Sequence, residues 1–191
     1  HQALGSVTAS PTYSGWVGSE GVSVLDVQPT CGFDAAASTN AIGTFSGMVV
    51  CGGGSDNNYS FNYVAGSLTV GYAYSQFLQP INVDRSSRFK AGSTIPVKFQ
   101  LLDANGVVQN DGTKTFTIKV TKLDSTPGGD VNETAVASSG DTGATFRWDS
   151  SGQLYIFNLS TKNSNMGEGT YRIDALSGTQ VVVTGQVDIK R

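Results

Sequence analysis

Apolar and polar residues alternate with a period of two along much of this chain, and few stretches repeat at the three-to-four spacing of a helix. The clearest run is Ile95, Val97, Phe99 and Leu101, interleaved with Pro96, Lys98 and Gln100. It predicts a strand buried on one side, with Lys98 pointing outward. "TFTIKVTKL" (115–123), "LYIFNLS" (154–160), "TYRIDAL" (170–176) and "TQVVVTGQVDIK" (179–190) predict further strands, the last two joined through "SGTQ". Strands at this spacing suit a β-sandwich. Asn105-Gly106, between "FQLLDA" and "VVQ", predicts a type I′ hairpin turn, in which both central residues take positive φ.

The N-terminal part is less regular. A short strand is expected around Tyr13 to Val17, then a Gly-Ser-Glu-Gly turn, then Val22, Val24 and Val27 leading into Pro29. "AIGTFSGMVVCGG" (41–53) follows as a strand, and "NYSFNYVAGSLTV" (58–70) as another, with Tyr59, Phe61 and Tyr63 on one face. Ala65-Gly66 interrupts that second strand, a place for a bulge or bend. Between the two strands, Gly52 to Gly54 and Asp56-Asn57-Asn58 are turn material, able to take positive φ or to bond their own backbone.

Composition agrees with this pattern: 24 glycines and 14% charged residues describe a strand-and-turn protein with little helix. At 191 residues the chain is long enough for one large sandwich or two smaller units, and two tandem all-β domains are the preferred reading. The net charge of -3 leaves no electrostatic surplus for a nucleic-acid backbone. Apolar runs such as Ile42 to Val50 and Val181 to Val183 fall far short of the roughly 20 residues that span a bilayer, so no membrane insertion is expected.

Two cysteines and one histidine leave little material for a zinc site or a Cys-His nucleophile pair. The histidine is residue 1 and is set aside as a tag remnant. Cys31 and Cys51 end two candidate strands, where a disulfide would close a loop of about 20 residues and contribute ~3 kcal/mol. Two free buried thiols are the alternative; the disulfide implies an oxidising compartment.

"YSGWVGSEGVSVLDVQPTC" and "GTFSGMVVCGGGSDNNYSFNYVAGSLTV" resemble the later part of an MBG ("mostly beta grand") domain, a module repeated in large bacterial surface and secreted proteins. The resemblance rests on Tyr13-Ser14-Gly15-Trp16, Pro29-Thr30-Cys31, Gly43-Thr44-Phe45, Cys51-Gly52, Asn58-Tyr59 and Tyr63 to Val70. It departs from the family at its start, where the first strand is reduced to "SVTASP" or missing. From residue 74 the chain resembles a PxKF domain, through Phe77-Leu78-Gln79-Pro80, Lys90 to Phe99 and Ser151-Gly152-x-Leu154-Tyr155. Many relatives carry a cysteine pair in this half, and this chain has none. The resemblances imply an MBG-like unit at 1–73 and a PxKF-like sandwich at 74–191, from the C-terminal end of a longer extracellular, secreted or cell-surface bacterial protein.

Any export signal is expected upstream of this sequence. The implied role is structural and non-catalytic: a spacer whose partners are the neighbouring domains of the same polypeptide. The alternative is a module that contacts polysaccharide, or another surface protein, through exposed aromatics.

Candidate chemistry divides along the same lines. No Ser-His-Asp arrangement can be built without a second histidine. The aspartates are scattered, mostly in turn contexts, and predict no paired-carboxylate cleft. No cofactor is expected. Asp103 with Asn105, and Asp149, place oxygen ligands beside glycine and are candidates for calcium, against the reading as two hairpin turns. Trp16, Trp148, Tyr155 and Tyr171 are candidate ligand aromatics, with Asn158 or Arg147 as polar partners, against core packing. Lys98 or Lys119 with Asp188 or Glu133 would suit an isopeptide staple, against ordinary solvated lysines. Three Asn-x-Ser/Thr triplets, at Asn58, Asn132 and Asn158, are taken as incidental.

Overall fold

The computed structural model describes residues 7–123, 131–133 and 143–191 and is built almost entirely of strands. The chain divides into two compact units: residues 1–72 with 103–105, and residues 73–102 with 106–191. Among the described residues no helix is long and apolar enough to cross a membrane.

The first unit holds one antiparallel sheet in the order β1-β2-β3, with β1 at Thr30–Phe33, β2 at Gly43–Gly52 and β3 at Gly66–Val70. Cys31 and Cys51 stand directly opposite each other in the β1–β2 register and are joined as a disulfide across a Cα–Cα distance of 4.0 Å. The sheet buries little: Leu25 and Val70 are the only large apolar side chains of this unit that are buried among the described residues.

Four expectations for this unit are corrected. Tyr13 to Val17 form no strand: Gly15, at φ 91°, breaks the extended run. Val22 and Val24 lie in a 3₁₀ turn, Val22–Val24, closed by the Val24 N–H donating to the Gly21 carbonyl, while Val27 makes only an isolated bridge to Ser55. Residues 58–65 carry the alternation but join no ladder among the described residues, and side chains take up backbone donors at and before their start. Asp56 Oδ1 accepts the Asn58 and Tyr59 amides, and the Tyr63 hydroxyl accepts the Gly54 amide. The bulge falls opposite the expected place: the register slips between Phe45 and Val49 on β2, around Gly47 at φ 77°.

The second unit has a three-stranded sheet in the order β10-β11-β6, a five-stranded sheet in the order β5-β13-β12-β8-β9, and a two-stranded pair, β4-β7. β6 (Thr94–Phe99), β8 (Thr117–Leu123), β11 (Leu154–Ser160), β12 (Gly169–Ser177) and β13 (Gln180–Lys190) carry the core. The remaining strands are β4 (Ala73–Tyr74), β5 (Arg88–Lys90), β7 (Leu101–Leu102), β9 (Val131–Glu133) and β10 (Arg147–Asp149). Ile95, Val97 and Phe99 of β6 meet Tyr155, Phe157 and Leu159 of β11, in register and wholly buried. Ile118 and Val120 of β8, Tyr171 and Ile173 of β12, and Val187 and Ile189 of β13 supply the buried face of the larger sheet.

Phe99 is the centre of an aromatic cluster. The rings of Tyr74, Phe77, Phe116, Phe146 and Tyr155 lie 5.1–6.4 Å from it, mostly edge to face, the arrangement aromatic quadrupoles favour. β12 and β13 are joined by Gly178-Thr179, with Gly178 at φ 59°, as a two-residue hairpin loop with glycine first requires. The loop after β7 differs from expectation. Of Asn105 and Gly106 only Gly106 takes positive φ, because Asp103 Oδ1 accepts the Asn105 amide and makes a wider, side-chain-closed turn ending at the Leu102–Val108 bridge.

Candidate functional site

The first unit contains a groove of about 500 Å³ lined in part by Trp16. Tyr13 and Tyr59 flank the indole at 5.7 and 5.3 Å, and the rings of Phe61 and Tyr63 stack in parallel at 5.9 Å further along. Leu25, Pro29 and Val49 also line it. Tyr59 ties the walls together: its hydroxyl donates to the Glu20 carboxylate and accepts the Val17 amide at 3.1 Å. The bond to Glu20 pushes the phenol above its ordinary pKa. The groove is lined by serine, threonine, asparagine, phenol and aliphatic groups and by no charged side chain. It can stack and hydrogen-bond a neutral ligand.

The candidate aromatics of the second unit are engaged in packing. Tyr155 is buried, its hydroxyl donating to the Asp111 carbonyl at 2.8 Å and accepting the Lys114 amide at 3.1 Å, and burial raises its pKa. Tyr171 is likewise buried and donates to the Gly167 carbonyl. Trp148 is half-buried and tilted 56° against Tyr155 at 5.0 Å. Gly112 sits so close under the indole that a Cβ there would lie 2.4 Å from Cδ1. Tyr155 and Tyr171 therefore present no ring to solvent, while Trp148 in this unit and Trp16 in the other are each half-buried. Asn158 is a half-buried residue of β11 opposite Pro96, and Arg147 lies in β10.

The calcium candidates use their oxygens locally. Asp103 Oδ1 accepts the Asn105 amide at 2.8 Å and Asp149 Oδ1 accepts the Ser151 amide at 3.1 Å, side-chain turns of the ordinary Asx kind. Among the described residues no three His, Cys, Asp or Glu side chains gather closely enough to hold a metal ion. Lys98 is half-exposed on β6; Asp188 accepts from the Thr170 hydroxyl at 2.7 Å and faces Arg88 at 3.9 Å. The triplet at Asn132 runs outside the described residues, as do Asp124, Asp130 and Asp141.

Two features escaped sequence reasoning. Asp174 is a buried carboxylate in the middle of β12, held by Arg172 Nε at 3.0 Å and the Thr184 hydroxyl at 2.6 Å. The other is the groove in which Tyr13 and Tyr59 pack against Trp16 and Phe61 stacks on Tyr63, for which the Tyr-Ser-Gly-Trp segment and the alternating aromatics were the available signals.

No curated protein matches the chain. Among solved structures, one described as "Crystal structure of the S-layer protein SbsC domains 4 and 5" aligns at 16% identity with a TM-score of 0.33, over 78% of this chain and 66% of that one, just under two-thirds of its length. Residues 2–69 match the family model for the MBG domain (YGX type), which supports the MBG resemblance over the first unit.

Proposed function

We propose that this chain is a non-catalytic spacer of a longer secreted or cell-surface bacterial protein, one that holds an adhesive or enzymatic domain in place. The observation that carries the reading is that the chemically capable side chains serve the fold itself. Tyr155 and Tyr171 close main-chain bonds in the core, Asp174 is neutralised by Arg172, and Asp103 and Asp149 close their own turns. The MBG match supports a modular surface protein, and the Cys31–Cys51 bond suits an oxidising compartment. Its partners on this reading are the flanking domains of its own polypeptide, and it works without cofactor or calcium.

Trp16 favours the second reading, a module that contacts neutral polysaccharide, because it is half-exposed within the groove. Affinity electrophoresis of the purified chain through neutral and acidic polysaccharides, with and without calcium, separates the two. The spacer reading expects unchanged mobility throughout. Retardation that disappears in Trp16→Ala would overturn it.

A further inference from the structure

Two segments of the first unit look like strands and pair with no strand among the described residues. Residues 9–13 alternate between half-buried Ala9, Pro11 and Tyr13 and exposed Ser10 and Thr12; residues 59–62 do the same with Tyr59 and Phe61 against Ser60 and Asn62. Among the described residues, neither 7–16 nor 60–65 makes a main-chain to main-chain hydrogen bond. Both segments line the Trp16 groove, and the second runs directly into β3, which ends its sheet. Period-two burial together with unpaired backbone is the pattern of a sheet lacking a neighbour, since each extended segment presents donors and acceptors at its edge.

The apolar surface points the same way. Val7, Val17, Val22, Val24, Val27, Val50, Tyr63 and Val64 of this unit are all exposed, against three large hydrophobics in the rest of the described chain. Charge narrows the occupant further. Residues 1–72 contain Glu20, Asp26, Asp34 and Asp56, residues 103–105 add Asp103, and neither stretch has a Lys or Arg, so the unit carries five acidic side chains and no Lys or Arg to offset them. The groove lining itself is uncharged.

We infer that the groove is a docking slot for an extended polypeptide strand, added between residues 9–13 and 60–63. Its inward positions are small or apolar, and its outward positions carry Lys or Arg. Main-chain pairing gives such a complex its affinity, and alternate side chains give it its selectivity. The aromatic rings receive the inward side chains, and the acidic character of the unit favours a cationic partner over an acidic one. An oligosaccharide would stack on the rings and leave the wall amides unpaired.

The test uses the whole chain and a synthetic capped peptide, Ala-Lys-Val-Lys-Val-Lys-Ala, apolar at one set of alternate positions and Lys at the other. Binding is followed by NMR shifts of the Trp16 indole and by amide exchange of residues 60–65. Saturable binding with slowed exchange in that segment is expected. Affinity should fall at least tenfold when the peptide's central residue is replaced by proline or its lysines by glutamate. Asn62→Pro in the protein removes one wall donor outside any ladder and is expected to weaken binding while the β1–β3 signals persist; this guards against a Trp16→Ala variant that fails to fold. Binding without slowed exchange at 60–65, binding of cellohexaose in place of the peptide, or binding of neither would overturn the proposal.

Discussion

The two units are stabilised by different means. The second buries twenty apolar side chains among its described residues and has no cysteine; the first buries Leu25 and Val70 and carries the disulfide. Small domains bury a smaller share of their surface, and cross-links are the common supplement where the core is thin. Position makes this cross-link effective, for it joins β1 to β2 and restricts the unfolded chain across the loop between them. The contrast teaches that one polypeptide can hold adjacent β-units by burial in one and by covalent constraint in the other. Conditions that attack one need not attack the other.

The largest expected effect is in the second unit. Phe99→Ala removes the ring at the centre of the aromatic cluster and should cost about 3–5 kcal/mol, seen as a lowered midpoint for the Tyr and core-strand signals in urea. Replacing both cysteines, Cys31→Ser with Cys51→Ser, should cost the first unit about 2–4 kcal/mol and leave the denaturation of the second unchanged, resolved by Trp16 and Trp148 fluorescence in single-tryptophan backgrounds. Gly185→Ala should cost about 1–3 kcal/mol, because the new methyl would lie 2.7 Å from the Phe77 ring; a compensating Phe77→Leu should recover part of it.

Tyr155→Phe is the mildest change, about 1 kcal/mol at neutral pH through its lost hydrogen bonds. It also has a pH signature. Burial raises the phenol above its ordinary 10.0, so the unfolded chain loses that proton first as pH rises. The second unit should therefore lose stability above about pH 10, and Tyr155→Phe should flatten that loss in melts taken between pH 8 and 11.

Much of the second unit was legible in sequence because one physical pattern dominates there. Ile95 to Leu101 alternate, and the structure buries the alternate residues of a strand whose other face carries Lys98. The first unit was harder to read because local hydrogen bonds compete with pairing. Asp56 draws the Asn58 and Tyr59 amides away from a ladder at the start of a run that alternates like a strand, and Tyr63 takes the Gly54 amide just before it. Asn105-Gly106 failed as a tight turn for the same reason: Asp103, two residues back, captured the Asn105 amide. The Trp16 groove was only partly visible, since it joins segments more than forty residues apart. Asp174 was invisible, because a lone aspartate in a strand gives no sign of the Arg172 and Thr184 contacts that let it be buried.

Amide hydrogen exchange read by mass spectrometry, with and without reductant at neutral pH, tests the division most directly. Reduction should abolish protection in β1, β2 and β3 and leave β6, β8, β11, β12 and β13 as slow as before. Protection of β1–β3 that survives reduction, or a loss that spreads equally through both units, would contradict the account.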